Sequence, residues 1–308
     1  MNSLKIVNSF ISEDKFNDYD IFDEYLNSIT KNKKDLFISS RDTPWIRYEK
    51  NSYVRFPIYN LTLPKEEEIS ELFKNKNCYL ISYNLDALNE DSQSYIYLCR
   101  NSHYSFENLP SNMQRNIKKA RKEFDFKEVN KEEFFIKGFK SFHDTRKRIG
   151  LNDYTKNDFI ISFNNWSSFS CNKIFGVFKG EELAAFITAS EIGSWAEIGL
   201  FSQTNFLNLR PNDLLVYNVI KYYLIERHFD FVGFGLSSIQ LNQNRKGLHQ
   251  FKVKVGFEAI PVKRVFQVNN KLFFLKSFYF KVLIKALLKL FPKSRKLKKI
   301  EGVLAGLS

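Results

Sequence analysis

The chain has 308 residues, of which 44% are hydrophobic, and a formal net charge of +13. That length accommodates two domains of ~100–200 residues and a sizeable core, and the composition is ordinary for a globular protein. Cys78, Cys99 and Cys171 lie far apart without C-x-x-C spacing, and the four histidines never fall four residues apart. This argues against a disulfide framework or a zinc site, for a reducing compartment, and for chemistry without a metal. Residues 1–10 lack the apolar core of an export signal, so the expected location is cytoplasmic. Phe is abundant at 32 and Gly scarce at 12, a pattern of coding bias that carries no functional weight. The charge is uneven: residues 271–308 hold ten basic side chains against Glu301 alone, and the rest is nearly balanced.

In chain order, Phe10, Phe16, Ile21, Tyr25 and Ile29 are spaced for one or two short helices. Residues 45–50 and 53–60 read as strands. Pro64 opens a helix with Glu66, Glu67 and Glu68 in its first turn, where negative charge suits the helix dipole. Strands at 78–84 and 94–100 complete one α/β unit. Ser111 or Asn112 is the expected cap of a basic helix over 113–124. A second helix is expected over 131–149, and a third from Thr155 with Asp158 closing a capping box. The apolar period then changes from about 3.6 to about 2 residues. Residues 173–178, 183–192 and 195–202 read as a three-stranded meander turning at Gly180 and Gly193. Pro211 suits the first turn of an apolar helix over 213–228. A strand at 229–235, a helix opening near Lys246-Gly247 and a last strand after Gly256-Phe257 close the order. No internal sequence repeat is present.

Residues 233–268 bring Gly247, Leu248, Phe251, Lys252, Gly256 and Phe257 into one collinear run. This run resembles the closing segment of the GNAT-like acyltransferases, in the branch related to the Fem-type peptidyltransferases. Three further segments are similar to that branch in the same order: NMQRNIKKARKEF at 112–124, TRKRIGL at 145–151, and GEELAA at 180–185 opening the meander. Together they cover 110–268, about half of the chain. The resemblance implies an α/β (α+β) architecture of two GNAT-like lobes, each a mixed twisted sheet flanked by helices. Residues 1–110 would form a degenerate first lobe, on position rather than motif, and 111–270 the acyltransferase lobe. Residues 271–308 would form a basic amphipathic tail.

The same resemblance implies acyl transfer to an amine or hydroxyl of a cell-envelope sugar or related precursor. Acyl-CoA or acyl carrier protein would be the donor, with no metal. The alternatives are aminoacyl-tRNA-dependent transfer to a peptidoglycan precursor, and a non-catalytic scaffold that binds membrane or nucleic acid. One departure bears on the donor. Acetyl-CoA-binding GNAT enzymes carry a glycine-containing loop whose N–H groups cradle a pyrophosphate. The corresponding residues here, 205–213 (NFLNLRPND), contain no glycine, and Pro211 removes an N–H. Either side chains such as Arg210 hold the phosphates, or the donor is not a CoA thioester.

Acyl transfer needs a deprotonated nucleophile, donors for the carbonyl oxygen and tight positioning. By resemblance Lys252 is the first catalytic candidate, as a cation for developing negative charge. Glu197, on the third meander strand beside Trp195, and His249 are the candidate bases. Arg210 and Asn212, ahead of the apolar helix, and Arg115 and Lys119, on the basic helix, are candidates for donor phosphate. Each has a structural alternative. Lys252 also suits a solvated helix face, Glu197 a strand surface, and Asn212 a cap. Met113, Ile117, Ala120 and Phe124 recur at helical spacing, so a half-buried helix already explains the basic face. The tail at 272–291 is interrupted by lysines that exclude an isolated span. Lys281, Lys285 and Lys289 form one stripe, with Phe280, Leu283, Leu287, Leu290 and Phe291 placed opposite. Residues 271–299 therefore suit an anionic membrane surface, or a terminal helix packed on the body.

Overall fold

Strands, more than helices, organise this chain. The computed structural model describes residues 19–30, 36–38, 44–49, 51–75, 77–87, 94–151, 154–237, 246–292 and 294–307. Among them eleven strands form one mixed sheet: β1 (Leu36–Ile38), β2 (Pro44–Glu49), β3 (Ser52–Arg55), β4 (Leu80–Asp86), β5 (Ser94–Cys99), β6 (Asp125–Glu128), β7 (Asn172–Lys179), β8 (Glu182–Ile192), β9 (Trp195–Ser202), β10 (Phe231–Leu236) and β11 (Glu258–Val268). Their order across the sheet is β1-β2-β3-β4-β11-β5-β10-β9-β8-β7-β6. Most neighbours are antiparallel. The two exceptions are β3 with β4 and β9 with β10.

Each parallel pair needs a crossover, and each has a helix there. Between β3 and β4 lies α2 (Glu66–Asn75), which follows the N-terminal α1 (Tyr19–Ile29). Between β9 and β10 lies the apolar α7 (Pro211–Lys221), continued by a π-helical turn at Tyr222–Glu226. Strand β11 leaves the C-terminal half and inserts between β4 and β5, antiparallel to both. The two halves are thereby locked into one sheet.

The helices α3 (Ser111–Ala120), α4 (Lys131–Lys137), α5 (Phe139–Arg148) and α6 (Lys156–Asn164) precede the meander, α8 (Lys246–Lys254) precedes β11, and α9 (Phe278–Leu290) and α10 (Arg295–Ala305) end the chain. Helices α4 to α6 and the meander meet in a phenylalanine cluster, with Phe134, Phe142, Phe159 and Phe186 fully buried. Rings of this size bury roughly 150–250 Å² each, so they dominate the local packing energy. The main core lies between the meander and helices α3 and α7, through Met113, Ile117, Leu215, Val219 and Tyr223.

The mixed sheet flanked by helices is the architecture expected from the sequence. The meander, the Thr155 capping box and Pro211 at the start of α7 are as read. Several boundaries differ. The single helix expected over 131–149 breaks at Gly138, where a Cβ would stand 2.7 Å from the Phe134 carbonyl oxygen. Neither Ser111 nor Asn112 caps α3: its N-cap is Pro110, which has no side chain able to accept. The strand expected over 53–60 stops at Arg55, before Pro57 can interrupt the ladder. Strand β6 went unread, because its mostly exposed residues show no alternation. Of the helices expected in 1–40, Tyr19–Ile29 is present, and residues 1–18 lie outside the described residues. The tail does not run as one helix over 272–291: a 3₁₀ segment, Asn270–Lys276, precedes α9, which starts at the Ser277 cap.

Candidate active site

The site begins where β9 and β10 part. Their parallel pairing spans three residues, Phe231↔Trp195, Val232↔Ala196 and Gly233↔Glu197, although β9 continues to Ser202 and β10 to Leu236. The cause lies in β10. Its register against β5 slips between Gly233 and Leu236, and Gly235 takes φ +67°, a left-handed conformation that glycine adopts without steric cost. This bulge steers β10 away with β5 and opens the sheet beside Glu197.

Glu197 sits at the vertex of that opening. Its carboxylate accepts a hydrogen bond from the Tyr59 hydroxyl, and the Gly235 N–H donates to it as well. Gly233 makes room for this pair. A Cβ there would lie 2.0 Å from the Tyr59 hydroxyl and 2.5 Å from Glu197 Oε2. Burial pushes the Glu197 carboxyl up to about 7; the hydrogen bond from Tyr59, the charge of Lys252 and the Gly235 N–H pull the other way. Burial, with the Glu197 charge beside it, also holds the Tyr59 hydroxyl well above the ordinary phenol value.

Lys252 approaches from α8. It is 6% exposed, and its Nζ donates to the Phe234 carbonyl at 2.5 Å. It stands over the rings of Tyr97 and Phe234, at 4.1 and 4.2 Å from their centroids. A desolvated ammonium over aromatic faces is attracted by their quadrupoles. His249 lies one turn earlier on α8, with Nδ1 3.0 Å from the Tyr97 hydroxyl and its ring tilted against Tyr95. The three catalytic candidates are therefore brought together around β10 and Tyr97. Lys252 is not the solvated helix lysine of the alternative reading, and Glu197 is not a surface side chain.

A second feature adjoins α8. A cleft of about 280 Å³ is lined by Asn112, Arg115 and Asn116 of α3, Arg210 and Asp213 at the start of α7, and one face of α8 that includes Gly247, Gln250, Phe251 and Lys254. Arg115 and Arg210, expected apart in sequence, share it. Arg210 has φ +68°, a conformation rare for a residue with a side chain. Asn212 is next to the lining, and its Oδ1 is buried without a hydrogen-bond partner. Lys119 is outside the lining and donates to the Asn208 carbonyl at 3.1 Å. Burial holds the Asp213 carboxyl above its usual range, opposed by Asn116 and Arg210. Three cations around one buried acid suit an anionic group. No cluster of three metal-ligating side chains occurs among the described residues.

Tyr59, Tyr97 and the pair Gly233 and Gly235 were not among the sequence candidates. Tyr59 lies 138 positions from its partner Glu197, a separation no local pattern reports. The glycines did carry a signal, as Gly-Phe-Gly inside an apolar strand, which is unusual unless a bulge or close approach requires it.

No family model matches the chain, and no curated protein matches it. Solved structures do. FemX superposes with a TM-score of 0.53 at 11% identity, over 82% of this chain and 92% of that one. The fold is shared with FemX. The C-terminal domain of an Agrobacterium fabrum protein described as a lysylphosphatidylglycerol synthetase gives 0.52 at 12% identity, over 80% of this chain and 91% of that domain. A tandem GNAT protein from the clavulanic acid biosynthesis pathway lies further off, at 0.47 and 8% identity over 81% and 94%. The Fem-related resemblance carried by residues 112–268 thus holds at the level of fold.

Proposed function

We propose that this chain is a transferase that moves an acyl or aminoacyl group from a phosphate-bearing carrier to an amine or hydroxyl acceptor, with residues 111–270 as the catalytic lobe. One observation carries the reading: the Glu197 carboxyl, held by Tyr59, sits at the vertex of an opened parallel strand pair with the buried Lys252 within electrostatic reach, and burial pushes its pKa up to about 7. A base of that pKa is half ionised near neutral pH and can accept a proton from the attacking group. In the step proposed, the acceptor nitrogen or oxygen bonds to the acyl carbon and Glu197 takes its proton. The carbon–carrier bond then breaks, and the electron pair leaves with the carrier. Lys252 offsets the negative charge that develops, and Tyr59 holds the carboxylate in place. In this reading His249, in contact with the Tyr97 hydroxyl, orients Tyr97 and through it the Lys252 side chain.

The cleft of Arg115, Arg210 and Lys254 suits the carrier's phosphates, and acyl-CoA is the first donor to test. A specific observation favours the second reading, an aminoacyl-tRNA donor: α7 starts on Pro211 after a left-handed Arg210, so it offers no glycine-lined N–H cradle. A cell-envelope precursor is the proposed acceptor and the cytoplasm the proposed location. The fold shared with a lysylphosphatidylglycerol synthetase domain supports that acceptor class. The purified chain should bind labelled acyl-CoA, acyl carrier protein or aminoacyl-tRNA saturably and transfer the label. Binding of charged tRNA but not CoA would select the second reading. Binding of none overturns both and leaves a non-catalytic scaffold.

A further inference from the structure

The C-terminal helix pair plays no part in the site described above. Helix α9 packs against α10 and the preceding 3₁₀ segment, Asn270–Lys276, with Ile284 buried and Phe280, Leu287 and Leu288 half-buried. Beyond α10, the chain is pinned to the sheet: Phe266 N–H donates to the Gly306 carbonyl at 2.8 Å, and Leu307 bridges Phe266 in parallel. One face of α9 is thus covered by α10 and the 3₁₀ segment, and the opposite face is exposed.

That outward face is apolar. At about 100° per residue, Val282, Ala286, Tyr279, Leu290 and Leu283 fall in one arc of roughly 100°, with Phe278 beside it. All are exposed, Phe278 by 74%, Tyr279 by 85% and Leu290 by 72%. Phe274, before the helix, and Phe291, after it, are exposed as well. Lys281, Lys285 and Lys289 run along one border of the arc, and no acidic residue occurs in α9. Lys296 and Lys299 of α10 are also exposed. Among the described residues no helix is long and apolar enough to cross a membrane.

We propose that the outward face of α9 lies in the interface of an anionic phospholipid bilayer, with Val282, Leu283, Tyr279 and Leu290 entering the acyl boundary and Lys281, Lys285 and Lys289 meeting the headgroups. An apolar arc without a basic border would suit any hydrophobic partner. The lysine border selects a negatively charged surface, and long lysine stems reach headgroups while their methylenes stay apolar. The same charge disfavours a second copy of this chain, since two such faces would oppose like-charged stripes. The proposal stands whether or not the chain catalyses transfer.

Flotation of the full chain with vesicles tests it. Vesicles of equal phosphatidylcholine and phosphatidylglycerol should carry the chain, and phosphatidylcholine alone should carry at least tenfold less. Lys285→Glu with Lys289→Glu should weaken the partition coefficient by about 25-fold or more, from roughly fivefold per neutralised lysine near an anionic surface. Leu283→Ser with Leu290→Ser should weaken it by at least about tenfold. All four positions are exposed, so the variants should keep the wild-type circular dichroism and melting temperature. Equal binding to both vesicle types, or none, overturns the proposal. So does loss in the lysine variant with full binding in the leucine variant, which marks a plain polyanion site. A solution dimer that the leucine variant dissociates assigns the face to a second copy and overturns it too.

Discussion

The two parallel strand pairs have the same backbone plan and different chemistry. In the first, β3 and β4 pair over Ser52↔Leu80, Tyr53↔Ile81 and Val54↔Ser82, with α2 between them. In the second, β9 and β10 pair over Trp195↔Phe231, Ala196↔Val232 and Glu197↔Gly233, with α7 between them. Position for position, Val54 stands where Glu197 stands, and Ser82 where Gly233 does. The first pair is packed shut by Trp45, Tyr53, Leu72, Ile81 and Tyr83. Its buried acid, Glu68, accepts from Trp45 Nε1 at 2.5 Å and takes a structural place. Only the second pair combines a bulge, a glycine gap and a carboxyl. Yet Tyr59, which follows β3, reaches across to Glu197, so the first half completes the second half's site. Duplicated geometry supplies an opening; a handful of side chains decides whether it can do chemistry.

The largest test of that contrast removes the proposed base. Glu197→Gln should lower the transfer rate by about 10²–10⁴-fold, the range for loss of a general base. Val54→Ala, at the matching place in the first pair, should leave the rate within about twofold. Next in size is the glycine gap. Gly233→Ala forces a methyl into the Tyr59–Glu197 contact and should cost about 1–3 kcal/mol in denaturant unfolding, with loss of activity. Ser82→Ala in the first pair should cost under about 1 kcal/mol.

The separation of these two places was only partly legible in the sequence. Lys252, Glu197 and His249 were reached because they lie in segments whose order resembles a known family, and they do converge. The partners that give them their environment were not. Tyr59 and Tyr97 are ordinary aromatic residues in ordinary strand-like contexts, joined to Glu197 and His249 across 138 and 152 positions. Sheet pairing of that range leaves no periodic trace. The same holds for β11, whose insertion between β4 and β5 is set by packing rather than by its own residues. Local steric rules were legible where they acted alone, as at Thr155 and Pro211. They were missed where a neighbour mattered, as at Gly138 against Phe134. On the tail, Phe280 and Leu287 are half-buried, whereas Leu283 and Leu290, on the same expected face, are exposed, and α9 meets α10 and the 3₁₀ segment before it.

Smaller effects sharpen the account of Glu197. Lys252 and the Tyr59 hydroxyl both lower its pKa, so Lys252→Met and Tyr59→Phe should each move the ascending limb of the pH–rate profile above the wild-type midpoint near 7. Stability should carry the opposite face of the same shift. The folded carboxyl holds its proton more tightly than the ordinary value of 4.5, so this group favours folding below that value. The advantage is lost as pH rises through about 7, and Glu197→Gln should abolish that loss. The difference in stability profiles should correspond to about 3 kcal/mol across the window. No comparable trend is expected from substitution at Val54.

The carboxyl band of Glu197, isolated as the infrared difference between wild type and Glu197→Gln over a pH series, reports its charge directly. A protonated carboxyl that persists at pH 5.5 and ionises around neutrality is the predicted result. Ionisation completed near pH 4.5 would mean that the side chain is solvated, and the assignment of a base to the parting of β9 and β10 would be contradicted.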